Sequence, residues 1–249
     1  MKEMEQANRA EGRIYFVSDA HLGIKESPSD CEDKVLAVFQ KAKEEASHLY
    51  IVGDLFDFWF EYKYAVPAAY LKIVSALLDL TRAGVNVFYI PGNHDFWMRD
   101  FLKRQAGVEL ARDILDVSHF GKRILITHGD GIRKDDRGYR FIKKIFRNRF
   151  CIWMYSQLPV GLAYRLAMRT SKVSRTYTDS RDKKDSSDYI EFAGKRISDG
   201  YDAVIMGHVH KPEIVRMGNG HYVNCGDLFK NFSYVVLDKD GFHLNSLTL

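Results

Sequence analysis

One recurring event constrains this chain more than any other: a short run of β-branched and aromatic residues stops abruptly, and a carboxylate, an imidazole or an amide follows. The runs Ile14–Val17, Leu49–Val52, Val85–Ile90, Ile124–Thr127, Ala203–Met206 and Tyr222–Asn224 each give way to a polar or glycine-containing turn, as strands buried on both faces do. Asp19 and His21 come after the first run, Asp54 after the second, and Asn93, His94 and Asp95 after the third. His128 follows the fourth and His208 and His210 the fifth. In open α/β sheets the carboxyl ends of strands share one crevice, so side chains distant in sequence can meet there.

Helical patterns separate the runs. Ser29 and Glu32 form a capping box ahead of Val35, Leu36, Val38, Phe39 and Ala42, which fall on one helical face. Pro67 suits a first helical position, Leu71, Val74, Leu77 and Leu78 make the next apolar stripe, and Gly84 is placed to end it. Ser233–Leu237 and Phe242–Leu247, joined through Asp240-Gly241, read as a closing β-hairpin. Alternating strands and helices with a terminal hairpin predict an α/β fold, a two-sheet sandwich flanked by helices. Residues 139–175 have helical spacing and no strand, which marks a helical insertion; with the Asp/Ser/Lys stretch Asp179–Asp188 read as a solvated connection, it extends to about residue 190 of a single domain spanning 1–249.

Charge is uneven along the chain. The net +4 hides a segment, Arg133–Lys184, with fifteen Lys/Arg against four Asp, a local +11 that leaves the remainder at −7. That segment also carries Phe141, Phe146, Phe150, Trp153 and several tyrosines, so it is both cationic and apolar. Cys31, Cys151 and Cys225 are widely spaced and suggest neither a disulfide framework nor a zinc knuckle. No signal-like or membrane-spanning run is evident, and the expectation is a cytoplasmic protein.

Carboxylate, imidazole and amide oxygen suit Mn2+, Fe2+ or Zn2+, and with no thiolate in the set an open catalytic site is favoured over a closed structural one. Asp19 and His21 lie two apart, as do His208 and His210, so on an extended strand end each pair could face one way. A shared carboxylate such as Asp54 could bridge two cations about 3.5–4 Å apart, the spacing that activates a water and clamps phosphoryl oxygens. Taken singly, any of these histidines could be structural and Gly53-Asp54 could be an ordinary turn; the weight lies in the joint arrangement. Gly226-Asp227 is read as such a turn, and His48, His119, His221 and His243 are assigned to the surface or the strand ladder.

The series SDAHLG (18–23), GDLFDFW (53–59), GNHD (92–95), THGD (127–130) and GHVHKP (207–212) resembles the calcineurin-like metallophosphoesterase superfamily from Ser18 to about Asn224. The resemblance implies a four-layer αββα fold with two divalent metal ions. One would be held by Asp19, His21, Asp54 and His210, the other by Asp54, Asn93, His128 and His208. His94 would be a catalytic non-ligand that stabilises the transition state or protonates the leaving oxygen.

A narrower resemblance, carried by GDLFDFWF, by HGDGIRKDDRGYR and by the helical insertion, is to the UDP-2,3-diacylglucosamine diphosphatases of lipid A biosynthesis. It implies hydrolysis of that nucleotide sugar to UMP and 2,3-diacylglucosamine 1-phosphate, usually with Mn2+. The implied substrate contacts are Asn93, His94, His208, Asp136 and, in a lid segment around Met168–Lys172, Ser171. Well-known members carry arginine after the metal-binding asparagine; here it is His94, as in the wider superfamily. Trp153, Leu158, Leu162, Tyr164 and Leu166 could line a trough for acyl chains, meet the anionic inner-membrane surface as a peripheral contact, or form the insertion's own core. A nuclease or cyclic-nucleotide phosphodiesterase is the second reading, because a basic segment can also track nucleic acid. A metal-free binding scaffold is the third.

Overall fold

A computed structural model describes residues 12–23, 30–62, 65–167, 169 and 186–247. Strands β1 (Arg13–Val17), β2 (Ala46–Ile51), β3 (Asn86–Tyr89) and β4 (Glu109–Leu110) run parallel. The hairpin β10 (Ser233–Asp238) and β11 (Gly241–Ser246) joins them antiparallel beside β1, giving a six-stranded sheet ordered β11-β10-β1-β2-β3-β4. The second sheet is ordered β5-β6-β7-β9-β8, from β5 (Ile114–His119), β6 (Lys122–Thr127), β7 (Ala203–Met206), β8 (Glu213–Met217) and β9 (Gly220–Asn224).

Side-chain alternation turns these strands into layers, because successive residues of a strand point to opposite faces. Ile14 and Phe16 of β1 meet Ile124, Ile126, Ala203, Ile205 and Val223 between the sheets. Tyr15 and Val17 point the other way, onto α1 (Cys31–Glu45) and α2 (Leu71–Arg82). Leu125, Val204, Met206 and Tyr222 face outward from the second sheet onto Tyr189 and Ala193 of the helix Ser187–Ser198. The result is the four-layer αββα sandwich.

Several details differ from the sequence expectation. The edge strand β5 alternates between exposed and half-buried positions and β8 has no fully buried residue, so both lack the continuous apolar run that marks a central strand. The buried seam of α2 is Ile73, Leu77 and Leu80, while Leu71, expected on it, is 56% exposed; two residues before Ile73, it projects from a different side of the helix. Pro67 precedes a 3-10 turn, Ala68–Tyr70, rather than starting the helix. Ser29, the expected cap of α1, lies outside the described residues, as does most of Asp179–Asp188, whose last two residues open the helix Ser187–Ser198.

Between β6 and β7 the chain forms α4 (Arg137–Phe146), α5 (Arg149–Ser156) and a further helical stretch over 160–167, with α3 (Phe101–Ala106) lying earlier and Ser187–Ser198 following as α6. Leu77→Ala is expected to cost about 2–5 kcal/mol, whereas Leu71→Ala should fall within about 0.5 kcal/mol of the unsubstituted chain. Urea unfolding followed by circular dichroism distinguishes the two.

Candidate metal centre

The carboxyl ends of β1, β2, β3, β6 and β7 deliver Asp19, His21, Asp54, Asn93, His94, His128, His208 and His210 to one end of the sandwich. They do so through strained backbone rather than extended strand. Asp19 (φ 52°), His21 (φ 46°), Asp54 (φ 53°), His208 (φ 67°) and His210 (φ 55°) all adopt the left-handed region, at a cost of order 1–3 kcal/mol each for residues with a Cβ. The expectation that Asp19/His21 and His208/His210 project together from extended strand ends is therefore corrected: each pair sits in a coil that turns the chain as it leaves the sheet.

Neighbouring loops hold that conformation. Asp19 N donates to Gly53 O (3.0 Å), His21 N to Asp54 O (2.9 Å), Gly207 N to His128 O (3.1 Å) and Leu228 N to Asp19 O (3.1 Å). Gly92 and Gly207 are required by close approach, since a Cβ at the first would strike Asp54 Oδ1 and at the second Asp19 Oδ2.

Two groups of buried Asp and His side chains match the expected sets, Asp19/His21/His210 and Asp54/His128/His208, and a third, His21/Asp57/His94, adjoins them. In the first, His210 Nε2 lies 3.2 Å from Asp19 Oδ1 and 3.3 Å from His21 Nε2. In the second, His128 Nε2 lies 3.3 Å from Asp54 Oδ2 and 3.2 Å from Asn93 Oδ1, and His208 completes it. Asp54 Oδ2 is also 4.0 Å from His21 Nε2, so this one carboxylate faces both groups. Its other oxygen is occupied by the backbone N–H of His94 (2.9 Å).

These residues fit divalent cations. Asp19 Oδ1 is buried and accepts no hydrogen bond, a costly arrangement for a carboxylate oxygen unless a cation meets it. The donors are oxygen and imidazole nitrogen, and the buried thiol of Cys31 is pushed up to about 12 by its burial and by Asp30, which keeps it protonated.

The carboxylates and imidazoles of the cluster shift one another strongly. Burial alone would raise the Asp54 carboxyl, but His128, His94 and His21 outweigh it and hold it well below the usual range. Burial would lower His128, yet Asp54 raises it to about 10. His208, by contrast, is pushed down to about 4 by burial and by His128. Asp95 rises to about 7 through burial and the repulsion of Asp54; it accepts from Gly92 N (2.8 Å), Phe56 N (3.3 Å) and the Tyr89 hydroxyl, and so ties the loops after β2 and β3 together.

Asp57 escaped the sequence reading. It is buried, with Oδ1 3.4 Å from His94 Nδ1 and 3.7 Å from His21 Nδ1, so one carboxylate lies beside both rings. Its only sequence signal is a second acid three residues after Asp54. Phe229 also went unnoticed; its ring stands edge-on to His21 (5.5 Å) and His210 (5.2 Å). The turn at Gly226-Asp227 is a turn as expected, but a buried one, with Asp227 Oδ1 accepting from the N–H of Phe229 (3.1 Å), Lys230 (2.5 Å) and Asn231 (2.9 Å). Asp136 stands at the N-terminus of α4, and Ser171 lies outside the described residues.

A two-sheet αββα sandwich with paired His/Asp clusters at the strand ends is the framework of a dinuclear metallohydrolase. The calcineurin-like phosphoesterase family model matches residues 12–212, and the chain belongs to that family. It is a metal-dependent phosphoesterase. Among curated relatives, UDP-2,3-diacylglucosamine hydrolase of Porphyromonas gingivalis is 28% identical over 255 residues, covering 94% of this chain and 97% of its own. The protein of that name from Neisseria meningitidis serogroup B is 29% identical over 229 residues, covering 91% and 95%. An archaeal phosphodiesterase of known structure shares the fold at a TM-score of 0.52 and 14% identity, covering 94% of this chain and 99% of its own. Saturating Mn2+ should raise the thermal midpoint of chelator-treated protein by about 5–10 °C when the cation stands near a hundred times its dissociation constant, as read by differential scanning fluorimetry.

Proposed function

We propose that this chain hydrolyses the pyrophosphate of UDP-2,3-diacylglucosamine to UMP and 2,3-diacylglucosamine 1-phosphate, a step of lipid A biosynthesis. The observation that carries this reading is an apolar cavity of about 310 Å3 beside the centre, lined by Phe58, Phe60, Tyr62, Val66, Val160 and Tyr164. Phe58 directly follows Asp57 in the chain, so a lipid tail in the cavity would hold its headgroup near the metal-ligand groups. The two relatives above carry the name of this activity. A larger cleft of about 550 Å3 lies at the start of β1 and the end of β10, at the opposite end of the first sheet.

Asp19, His21, Asp54 and His210 would hold one cation and Asp54, Asn93, His128 and His208 the other, with Mn2+ the expected metal and Fe2+ or Zn2+ also suited to the donors. Bound cations supply Lewis acidity and a nucleophilic water at neutral pH. His94, oriented by Asp57, donates a proton to the leaving oxygen as the bond to the lipid phosphate breaks. Asn93, His94, His208 and Asp136 contact the substrate, and Ser171 is assigned there on resemblance alone.

The helices after β6 form a lid over the lipid. Phe58, Phe60 and Ala167 make a small core there with Trp97, Ile152, Tyr155 and Tyr164, while Phe141 (66% exposed), Phe150 (62%) and Trp153 (56%) face outward. The apolar residues of this segment thus divide between a core and an outward face, and that face, which also carries the exposed Lys144 and Arg149, suits an anionic membrane surface. No helix among the described residues is long and apolar enough to cross a membrane. The exposed aromatics are interspersed with Ile142, Ile145 and Met154, which favours lipid over the base-stacking platforms of a nuclease.

With Mn2+ and UDP-2,3-diacylglucosamine, UMP release should exceed that from the unacylated nucleotide sugar by about two orders of magnitude; equal rates would remove the lipid substrate and leave the phosphoesterase. His94→Ala should lower turnover about 100-fold or more with metal content preserved, whereas Asp54→Ala should lose both turnover and bound metal, as elemental analysis would show.

A further inference from the structure

Helix α4 is held the wrong way round for a packed helix. Its apolar residues Phe141 (66%), Ile142 (47%) and Ile145 (41%) are exposed, and what fastens its inner side is polar. Tyr139 donates its hydroxyl to Asp130 Oδ2 at 2.6 Å, and Lys143, one turn further on, places Nζ 2.7 Å from the same oxygen. Between them Arg140 donates to the carbonyls of Gly131 (3.1 Å), Arg133 (2.6 Å) and Lys134 (3.2 Å). The first part of the helix is thus bolted to the loop that begins at His128, and Asp130, whose side chain is 6% exposed, receives two of the bolts.

Asp130 belongs to the loop of the centre as well as to the helix contact, since it lies two residues after His128. Its Oδ2 takes both the Tyr139 hydroxyl and the Lys143 ammonium of the helix. A buried anion with charge-assisted bonds is costly to strip of its partners. Any movement of the His128 loop must therefore carry the helix with it or break those bonds.

We propose that Asp130 is a positioning residue that couples the centre to the lid: through Tyr139 and Lys143 it makes cation binding at the His128 loop and docking of helix α4 stabilise one another. The inference deepens the reading above and rests on its two-cation centre. Coupling of this kind is reciprocal, so cation binding should steady the helix and loosening the helix should weaken cation binding.

Hydrogen exchange on the full chain with and without Mn2+ tests it, with no substrate present. In the unsubstituted protein Mn2+ should slow exchange of the 137–146 amides. In Asp130→Asn that cation-dependent difference should disappear from the helix while persisting in the backbone of the loop after β1. A merely structural role for Asp130 would instead speed exchange in both states and leave the difference in place. Asp113→Asn is the control: Asp113 binds Lys143 (3.4 Å) and Arg147 (2.5 Å) but is half exposed and lies before β5, so the cation effect should survive its loss. Tyr139→Phe alters no charge and should weaken Mn2+ binding about fivefold or more, measured by calorimetry, and it carries the test if Asp130→Asn does not fold. Helix amides indifferent to Mn2+ in the unsubstituted chain, or a full cation effect in Asp130→Asn, or an unchanged Mn2+ affinity in Tyr139→Phe, would overturn the coupling. A chain that bound no Mn2+ at all would instead sink the two-cation reading, and the coupling with it.

Discussion

Asp54 Oδ2 stands between two sets of imidazoles, 3.3 Å from His128 and 4.0 Å from His21, and the architecture around it exists to make that position tenable. A buried carboxylate in a nest of histidines is stable only if charge is balanced there, by protons on the rings or by cations. The parallel strands bring the groups to one end, and the left-handed residues after β1, β2 and β7 turn them inward. The core between the sheets, with Ile14, Phe16, Ile124, Ile126 and Ile205 fully or almost fully buried, supplies the stability against which that local strain is set.

Around the centre, a second set of contacts does the aiming. Asp57 Oδ1 lies 3.4 Å from His94 Nδ1 and 3.7 Å from His21 Nδ1, so one carboxylate is shared by rings from the loops after β3 and β1. Asp95 joins the loops after β2 and β3, and Phe229 packs on the two imidazoles of the first group. These residues lie on loops that would otherwise be independent. Their effect is to make the geometry of the centre a joint property of both sheets.

The helices after β6 follow a different logic. They are fastened to the sandwich by polar bonds at Asp130 and by a small aromatic cluster around Trp97 and Tyr155, and much of their apolar surface faces outward. An apolar cavity lined by Phe58, Phe60 and Tyr164 lies on one side of them, and exposed Phe141, Phe150 and Trp153 lie on their surface.

The order of strands and the groups that follow them could be read directly from the residues, because central strands advertise themselves by uninterrupted apolar runs and because Asp, His and Asn recur after five of them. Helix α1 was legible for the same reason: its apolar spacing matches the face it buries. The edge strands β5 and β8 were not, since an edge strand is half solvated and carries no such run. Leu71 was misplaced because spacing alone does not say which of several neighbouring apolar residues faces the sheet. Asp57 could not be told from an ordinary acid near a turn, as its meaning comes from two histidines that approach it only when β1 and β3 lie beside β2. Chemical type is thus a property of the chain, written locally wherever a strand ends. The left-handed exits, the sharing of Asp54 between two groups and the attachment of helix α4 through Asp130 belong to the tertiary structure, because each depends on a distance between segments that covalent order leaves undetermined.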